Sequence, residues 1–221
     1  MFFKQIKTRG SDNNFSYLAG DEQQKEICII VDPAYELEKI LKIAEGEGYS
    51  ISHILLTHRH YDHSQLASEC QRKTGAKIVI GKNEEFFLPQ GHTNQNQELL
   101  RVEDGQKLIL SPNLSIRTIW TPGHTEGAIC YQLNSTHFIT GDTLFIGRCG
   151  RVDFSGGSAE AMIQSLKKIT VIAHQYPDLI MYPGHDYGEV KFRNLLEECQ
   201  RNPSVLAENV KSLSISTRSK T

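Results

Sequence analysis

At 221 residues and a formal net charge of −2, the chain is long enough to bury a full core in one domain and carries no basic footprint for nucleic acid. No apolar run approaches membrane-spanning length, and Met1-Phe2-Phe3-Lys4-Gln5 lacks the apolar core of a secretion signal, so a soluble cytoplasmic protein without membrane contact is expected. Five widely spaced cysteines without a Cys-x-x-Cys pair (Cys28, Cys70, Cys130, Cys149, Cys199) read as reduced thiols filling small apolar spaces.

Residues 15–19 and 26–31 are predicted strands of a hairpin joined by the polar turn 20–25, with Asp32-Pro33 breaking the second. Apolar residues at Leu37, Ile40, Leu41, Ile43 and Ala44 predict an amphipathic helix over 36–47, closed by Gly48. Strand 51–56, a turn and helix 64–74 follow, the helix ending at Gly75. Strand 77–80 precedes a polar, mixed stretch at 82–97 that is expected to lie over the site. Strands at 99–102, 107–110, 114–120, 128–133 and 136–140 dominate the next part. Ser158 is the expected N-cap of helix 158–172, with Glu160 in its first turn. Strand 179–182 and helix 189–200, halted before Pro203, complete a domain over 1–205; the Ser/Thr/Lys-rich tail 206–221 is expected to fray. Alternating strands and helices with hairpins in each half fit an α/β fold, a four-layer αββα sandwich of two mixed β-sheets flanked by helices.

Chemistry concentrates at strand ends. Thr57-His58-Arg59-His60-Tyr61-Asp62-His63 packs ligand-type side chains into the turn after strand 51–56. His58 and His60, two apart on an extended chain, point the same way, while Asp62 and His63 turn off to a second position nearby. Three other strands end alike: Thr121-Pro122-Gly123-His124, Ile139-Thr140-Gly141-Asp142 and Tyr182-Pro183-Gly184-His185. In each, a glycine at the bend lets the chain approach a crowded centre, and imidazole and carboxylate donors suit zinc, iron or manganese. The remaining candidates have plainer readings. His53 is expected in the core, His92 in a solvated loop, and His137 and His174 in structural or surface roles. Cys149 reads as a filler. Arg148 either binds an anionic substrate group or pairs with a loop acid, and Asp153 and Asp186 are expected to orient the loops and imidazoles beside them.

The ordered set His58-x-His60-x-Asp62-His63, His124, Asp142, His185 resembles the metallo-β-lactamase-fold superfamily over the chain to about Pro203. Asp12-Asn13-Asn14-Phe15-Ser16-Tyr17-Leu18, the aromatic Tyr61 and Gly141-Asp142-Thr143-Leu144-Phe145 are similar to its glyoxalase II-like (hydroxyacylglutathione hydrolase-like) branch. That resemblance implies two divalent cations, zinc first with iron or manganese also accepted. His58, His60 and His124 would hold one, Asp62, His63 and His185 the other, with Asp142 bridging. A water shared by two cations ionises near neutral pH, and Asp62 is placed to orient the bridging hydroxide as the catalytic carboxylate of thioester hydrolysis. Arg151 and Tyr187 match the positions that contact the thiol carrier in that branch. Only 36 residues follow His185, fewer than the branch's helical C-terminal domain needs, so the acyl-thiol is expected on glutathione, coenzyme A or the pantetheine arm of an acyl carrier protein. The alternative reading is a persulfide dioxygenase of the same fold, with one iron on His58, His124 and Asp142. It rests on Cys149-Gly150-Arg151-Val152-Asp153-Phe154 and His185-Asp186-Tyr187.

Overall fold

The central strands are apolar along both faces because a different layer covers each face. A computed structural model describes residues 1–10, 12–86 and 99–217. The first half of the chain forms β1 (Phe2–Lys7), β2 (Phe15–Gly20), β3 (Cys28–Val31), α1 (Leu37–Gly46), β4 (Ile51–Leu55), α2 (Tyr61–Ser64), α3 (Ala67–Thr74), β5 (Lys77–Gly81) and β6 (Leu99–Val102). Its sheet runs β1-β2-β3-β4-β5-β6, antiparallel as far as β3 and parallel thereafter. The second half forms β7 (Lys107–Ser111), β8 (Leu114–Trp120), β9 (Ile129–Leu133), β10 (His137–Gly141), β11 (Leu144–Phe145), β12 (Arg148–Cys149), α4 (Ala159–Gln175), β13 (Ile180–Pro183), β14 (Arg193–Asn194), α5 (Leu195–Arg201) and α6 (Val210–Thr217). Its sheet runs β14-β13-β10-β9-β8-β7, with only β10 and β13 parallel, and β11 pairs β12 as a separate ribbon.

Side-chain alternation assigns the layers. On β3, Ile29 and Val31 face the second sheet while Cys28 and Ile30 face α1; on β4 and β5, Leu55 and Val79 point inward and Ile54, Ile78 and Ile80 point to the helices. In the second sheet Ile129, Tyr131, Ile139 and Tyr182 fill the inter-sheet layer, and Cys130, Phe138 and Met181 pack beneath α4. Three apolar layers between four structural ones give the expected αββα sandwich of two mixed sheets. All five cysteines are free and buried, as expected of fillers. Among the described residues no helix is long and apolar enough to cross a membrane.

Several elements differ from the sequence reading. β1 is an added edge strand, antiparallel to β2, whose half-exposed residues lack a clear alternation. The helix expected over 64–74 is two: α2 begins three residues earlier at Tyr61, and α3 starts only at Ala67. Its start is fixed by the His60 carbonyl, which accepts from the amides of His63 and Ser64, each at 3.0 Å. The helix expected over 189–200 begins at Leu195, because Arg193 and Asn194 pair with β13 and the Asn194 side chain caps the helix by accepting from the Glu197 amide at 3.0 Å. α4 runs three residues beyond 172, with Ser158 capping as predicted. Within the expected tail, α6 places Leu213 in the apolar layer beneath α4. Residues 87–97 of the stretch expected to cover the site, His92 among them, lie outside the described residues.

Candidate metal centre

Loops from both sheets converge on one point. β4 delivers Thr57 and His58; α2, one residue past His60, delivers Asp62 and His63; the ends of β8, β10 and β13 lead to His124, Asp142 and His185. A backbone bridge between Asn14 and His185, with the Phe15 amide donating to the Gly184 carbonyl at 2.8 Å, ties the sheets together beside the centre. Gly141 has φ +50, and a Cβ there would strike the Thr57 side chain; a Cβ at Gly184 would overlap Asp142 Oδ1. The bends are therefore glycine because the centre is crowded.

The seven predicted ligands meet. Nε2 of His58 lies 3.1 Å from Nδ1 of His60, which lies 2.8 Å from Nε2 of His124. Nε2 of His63 is 3.2 Å from Nε2 of His185, and each is 3.4 Å from Asp62 Oδ2. Asp142 reaches both groups, with Oδ1 3.3 Å from His63 and Oδ2 3.4 Å from His124 and 3.2 Å from His185. A tetrahedral ion with bonds of about 2.0 Å needs donors about 3.3 Å apart, which these separations match. Asp142 Oδ1 is buried without a hydrogen-bond partner, as a carboxylate oxygen reserved for a cation would be. Three donor sets could each hold an ion: His58, His60 and His124; His58, His63 and Asp142; and Asp62, His63 and His185.

The other ring nitrogens are held from outside. His63 Nδ1 lies 3.0 Å from Asp32 Oδ2, His124 Nδ1 2.7 Å from the Arg151 carbonyl, and His185 Nδ1 2.7 Å from the Asp12 carbonyl. His58 Nδ1 lies 3.0 Å from Thr57 Oγ1, which itself donates to Asp32 at 2.7 Å. Asn14 donates to Asp62 Oδ2 at 2.9 Å. These contacts aim the free donors of His58, His63, His124 and His185 at the centre. The sequence reading missed Asp32, whose only outward signal is an acid ending an apolar strand, the same layout as the ligands.

Charge is divided between the sets. Burial, reinforced by the charge of His63 beside His58 and by the competing imidazole of His124 beside His60, keeps His58 well below the usual histidine range and brings His60 down to about 4; burial also lowers His124. Burial opposes protonation of His63 and His185 too, but Asp142 outweighs it and raises both. Burial likewise favours neutral Asp62 and Asp142, yet the hydrogen bond from His63 holds Asp62 down and the charge of His185 and His63 holds Asp142 down.

The sequence model of the metallo-beta-lactamase superfamily matches residues 9–200. The chain belongs to that superfamily. It is 38% identical over 177 residues to the probable polyketide biosynthesis zinc-dependent hydrolase BaeB of Bacillus velezensis, covering 80% of this chain and 75% of that protein. It is 35% identical over 181 residues to a hydroxyacylglutathione hydrolase of Rhodospirillum rubrum, covering 81% of this chain and 65% of that protein. The crystal structure of ETHE1 from Myxococcus xanthus matches with a TM-score of 0.83 at 27% identity, over 98% of this chain and 90% of that one. These similarities make the chain a member of a metal-binding superfamily with zinc-dependent hydrolases among its relatives.

In this metallo-beta-lactamase-superfamily chain a cavity of about 720 Å³ opens over the ligands, walled by Tyr35, Tyr61, Phe145, Phe154 and Tyr187. The Tyr187 ring stacks on His185 at 4.6 Å and 2°, and burial pushes its phenol up to about 12. Arg151 lines the cavity, but its guanidinium donates to both oxygens of Asp153 at 2.9 and 2.8 Å. Arg148 lies 4.7 Å over the Tyr187 ring and forms no ion pair among the described residues. Asp153 thus holds Arg151, whose carbonyl meets His124 Nδ1, whereas Asp186 pairs with Lys7 at 2.8 Å and His185 takes its partner from Asp12. His53 is half-buried rather than in the core; His137 stacks on Tyr182 at 5.3 Å, and His174 is exposed on α4. Burial raises the Cys149 thiol to about 11, consistent with a filler.

Proposed function

We propose that the protein is a dinuclear, zinc-dependent thioester hydrolase acting on an acyl group carried by glutathione, coenzyme A or the pantetheine arm of an acyl carrier protein. The observation that carries this reading is Asp142, whose carboxylate reaches His124 of one ligand set and both His63 and His185 of the other. When bound, two divalent cations supply an ionised water at neutral pH and polarise the thioester carbonyl. Asp62, fixed by Asn14 and exposed to the cavity, holds the proton of the attacking water and keeps its line of attack. Phe145, Phe154 and Tyr187 surround the acyl chain with apolar surface and keep bulk water from it. Arg151 and Tyr187 stand at the cavity wall toward the thiol carrier. The similarity to BaeB and to a hydroxyacylglutathione hydrolase supports a hydrolase of acyl-thiols.

The second reading, a persulfide dioxygenase, needs one iron on His58, His124 and Asp142 and leaves Asp62, His63 and His185 without an ion. One experiment separates them: protein purified under argon is analysed for metal, then assayed for S-lactoylglutathione hydrolysis and for oxygen uptake with glutathione persulfide. Two zinc ions with thioester turnover are expected; one iron with oxygen consumption would replace this reading with the other.

A further inference from the structure

The two outer ligand sets share Asp32, which meets His63 directly and His58 through Thr57, but their other braces differ. Asp62, His63 and His185 rest on Asn14, Asp32 and the Asp12 carbonyl. His58, His60 and His124 have a second brace that lies outside the cavity: Glu84, in the turn after β5, with a side chain of zero exposure. One oxygen of Glu84 accepts from Arg59 Nη1 at 2.8 Å, and the other accepts from Thr125 Oγ1 at 2.6 Å. Arg59 sits between His58 and His60, and Thr125 follows His124. A single buried carboxylate therefore ties the loop carrying two of the histidines to the loop carrying the third.

The surroundings stiffen this tie. The Glu84 carbonyl accepts from Arg101 at 2.7 Å, and its amide donates to the Gly81 carbonyl at 3.0 Å. A Cβ at Gly127 would overlap the Glu84 backbone, so the 125–127 loop is packed directly on this turn. Arg59 also donates through Nη2 to the Ser155 carbonyl at 2.9 Å, fixing the segment whose Phe154 ring lies edge-on to His60 at 5.5 Å and to His124 at 5.9 Å.

We propose that Glu84 is a positioning residue of the three-histidine set: by holding Arg59 and Thr125 at one separation it governs how tightly His58, His60 and His124 bind their ion. The assignment rests on the metal-site reading above. Partners that orient metal ligands are worth about 10- to 100-fold in affinity. A bystander ion pair would instead contribute to folding alone, as the buried Arg193–Glu198 pair, 2.6 Å apart between β14 and α5, provides for comparison.

The test is zinc binding to the purified full-length protein, resolved into steps by chelator competition, with His60→Ala identifying the step that belongs to the three histidines. Glu84→Gln, which keeps shape and removes charge, is expected to weaken that step about 10- to 100-fold and leave the other within about threefold. Thr125→Val, which cuts one arm of the tie, should weaken the same step if Glu84→Gln does not fold. Glu198→Gln should lower thermal stability and leave both steps in place. An unchanged three-histidine step, or both steps weakening together in proportion to lost stability, would overturn the role of Glu84. Wild-type protein that binds no zinc would overturn the metal-site reading along with it.

Discussion

Asp32 is the residue whose contacts reach furthest for their size. Its carboxylate accepts from the Thr57 amide at 2.8 Å and the Thr57 hydroxyl at 2.7 Å, and lies 3.0 Å from His63 Nδ1. Asparagine has one oxygen, so Asp32→Asn must forfeit at least one of these acceptors. Zinc affinity should fall about 10- to 100-fold, measured by chelator competition; wild-type affinity would show that His63 needs no such partner. Arg151, in the cavity wall, and Arg148, over the Tyr187 ring of that wall, make a second case. Because Arg151 is engaged by Asp153 and Arg148 is not ion-paired among the described residues, Arg148→Ala should raise KM for an anionic thioester more than Arg151→Ala does. Kinetics with S-lactoylglutathione decide it, and the reverse order would return the role to Arg151. The seven candidate ligands were legible in the sequence because their chemistry is carried by side chains at recognisable strand ends. Asp32 and Glu84 were not, because their partners are remote in sequence, and Asp12 contributes a carbonyl that no side-chain identity encodes.

At the scale of elements, the strand-to-loop bends set the spacing of the centre. β13 ends against Asp142, so a methyl group at Gly184 would displace the carboxylate that faces both ligand sets and would come within 2.9 Å of His63 Cε1. Gly184→Ala should therefore lower the metal content of purified protein by about an order of magnitude, although overpacking itself costs only about 1–3 kcal/mol. Elemental analysis checks this beside a thermal melt, and full metal occupancy would show that the bend has room to yield. Apolar runs made β3, β5 and β9 readable, since both faces are buried, whereas β8 was readable from its alternation of buried Leu114 and Ile116 with half-exposed Ser115 and Arg117. Periodicity failed where capping and pairing decide. A polar stretch at 189–194 carries helix-forming residues, yet Asn194 caps and β13 recruits Arg193, so the helix starts late. The turn at Tyr61 became helical because the His60 carbonyl is available to two amides, a local arrangement that a residue pattern does not reveal.

Over the whole molecule, the ligands come from both sheets, so a bound ion joins the two halves of the sandwich and stabilises the folded state in proportion to its affinity. That affinity must depend on pH, because metal ligation requires neutral imidazoles. His60, brought down to about 4, and His58 and His124, also lowered, have no proton to release above the ordinary histidine range. His63 and His185 are raised, so in metal-free protein they keep protons above the unfolded value of about 6.5. Their protonation stabilises the metal-free fold fully below that unfolded value, and the contribution is lost as pH rises through their folded values. Zinc must displace those protons, so its affinity climbs across the same window. The gap in Tm between zinc-loaded and chelator-treated protein should accordingly keep widening above about pH 7.5, where histidines with the ordinary value of about 6.5 are roughly nine-tenths neutral. Paired melts from pH 5.5 to 8.5 measure it. A gap that levels off by about pH 7.5 would mean that His63 and His185 titrate as ordinary histidines and that Asp142 does not hold their protons.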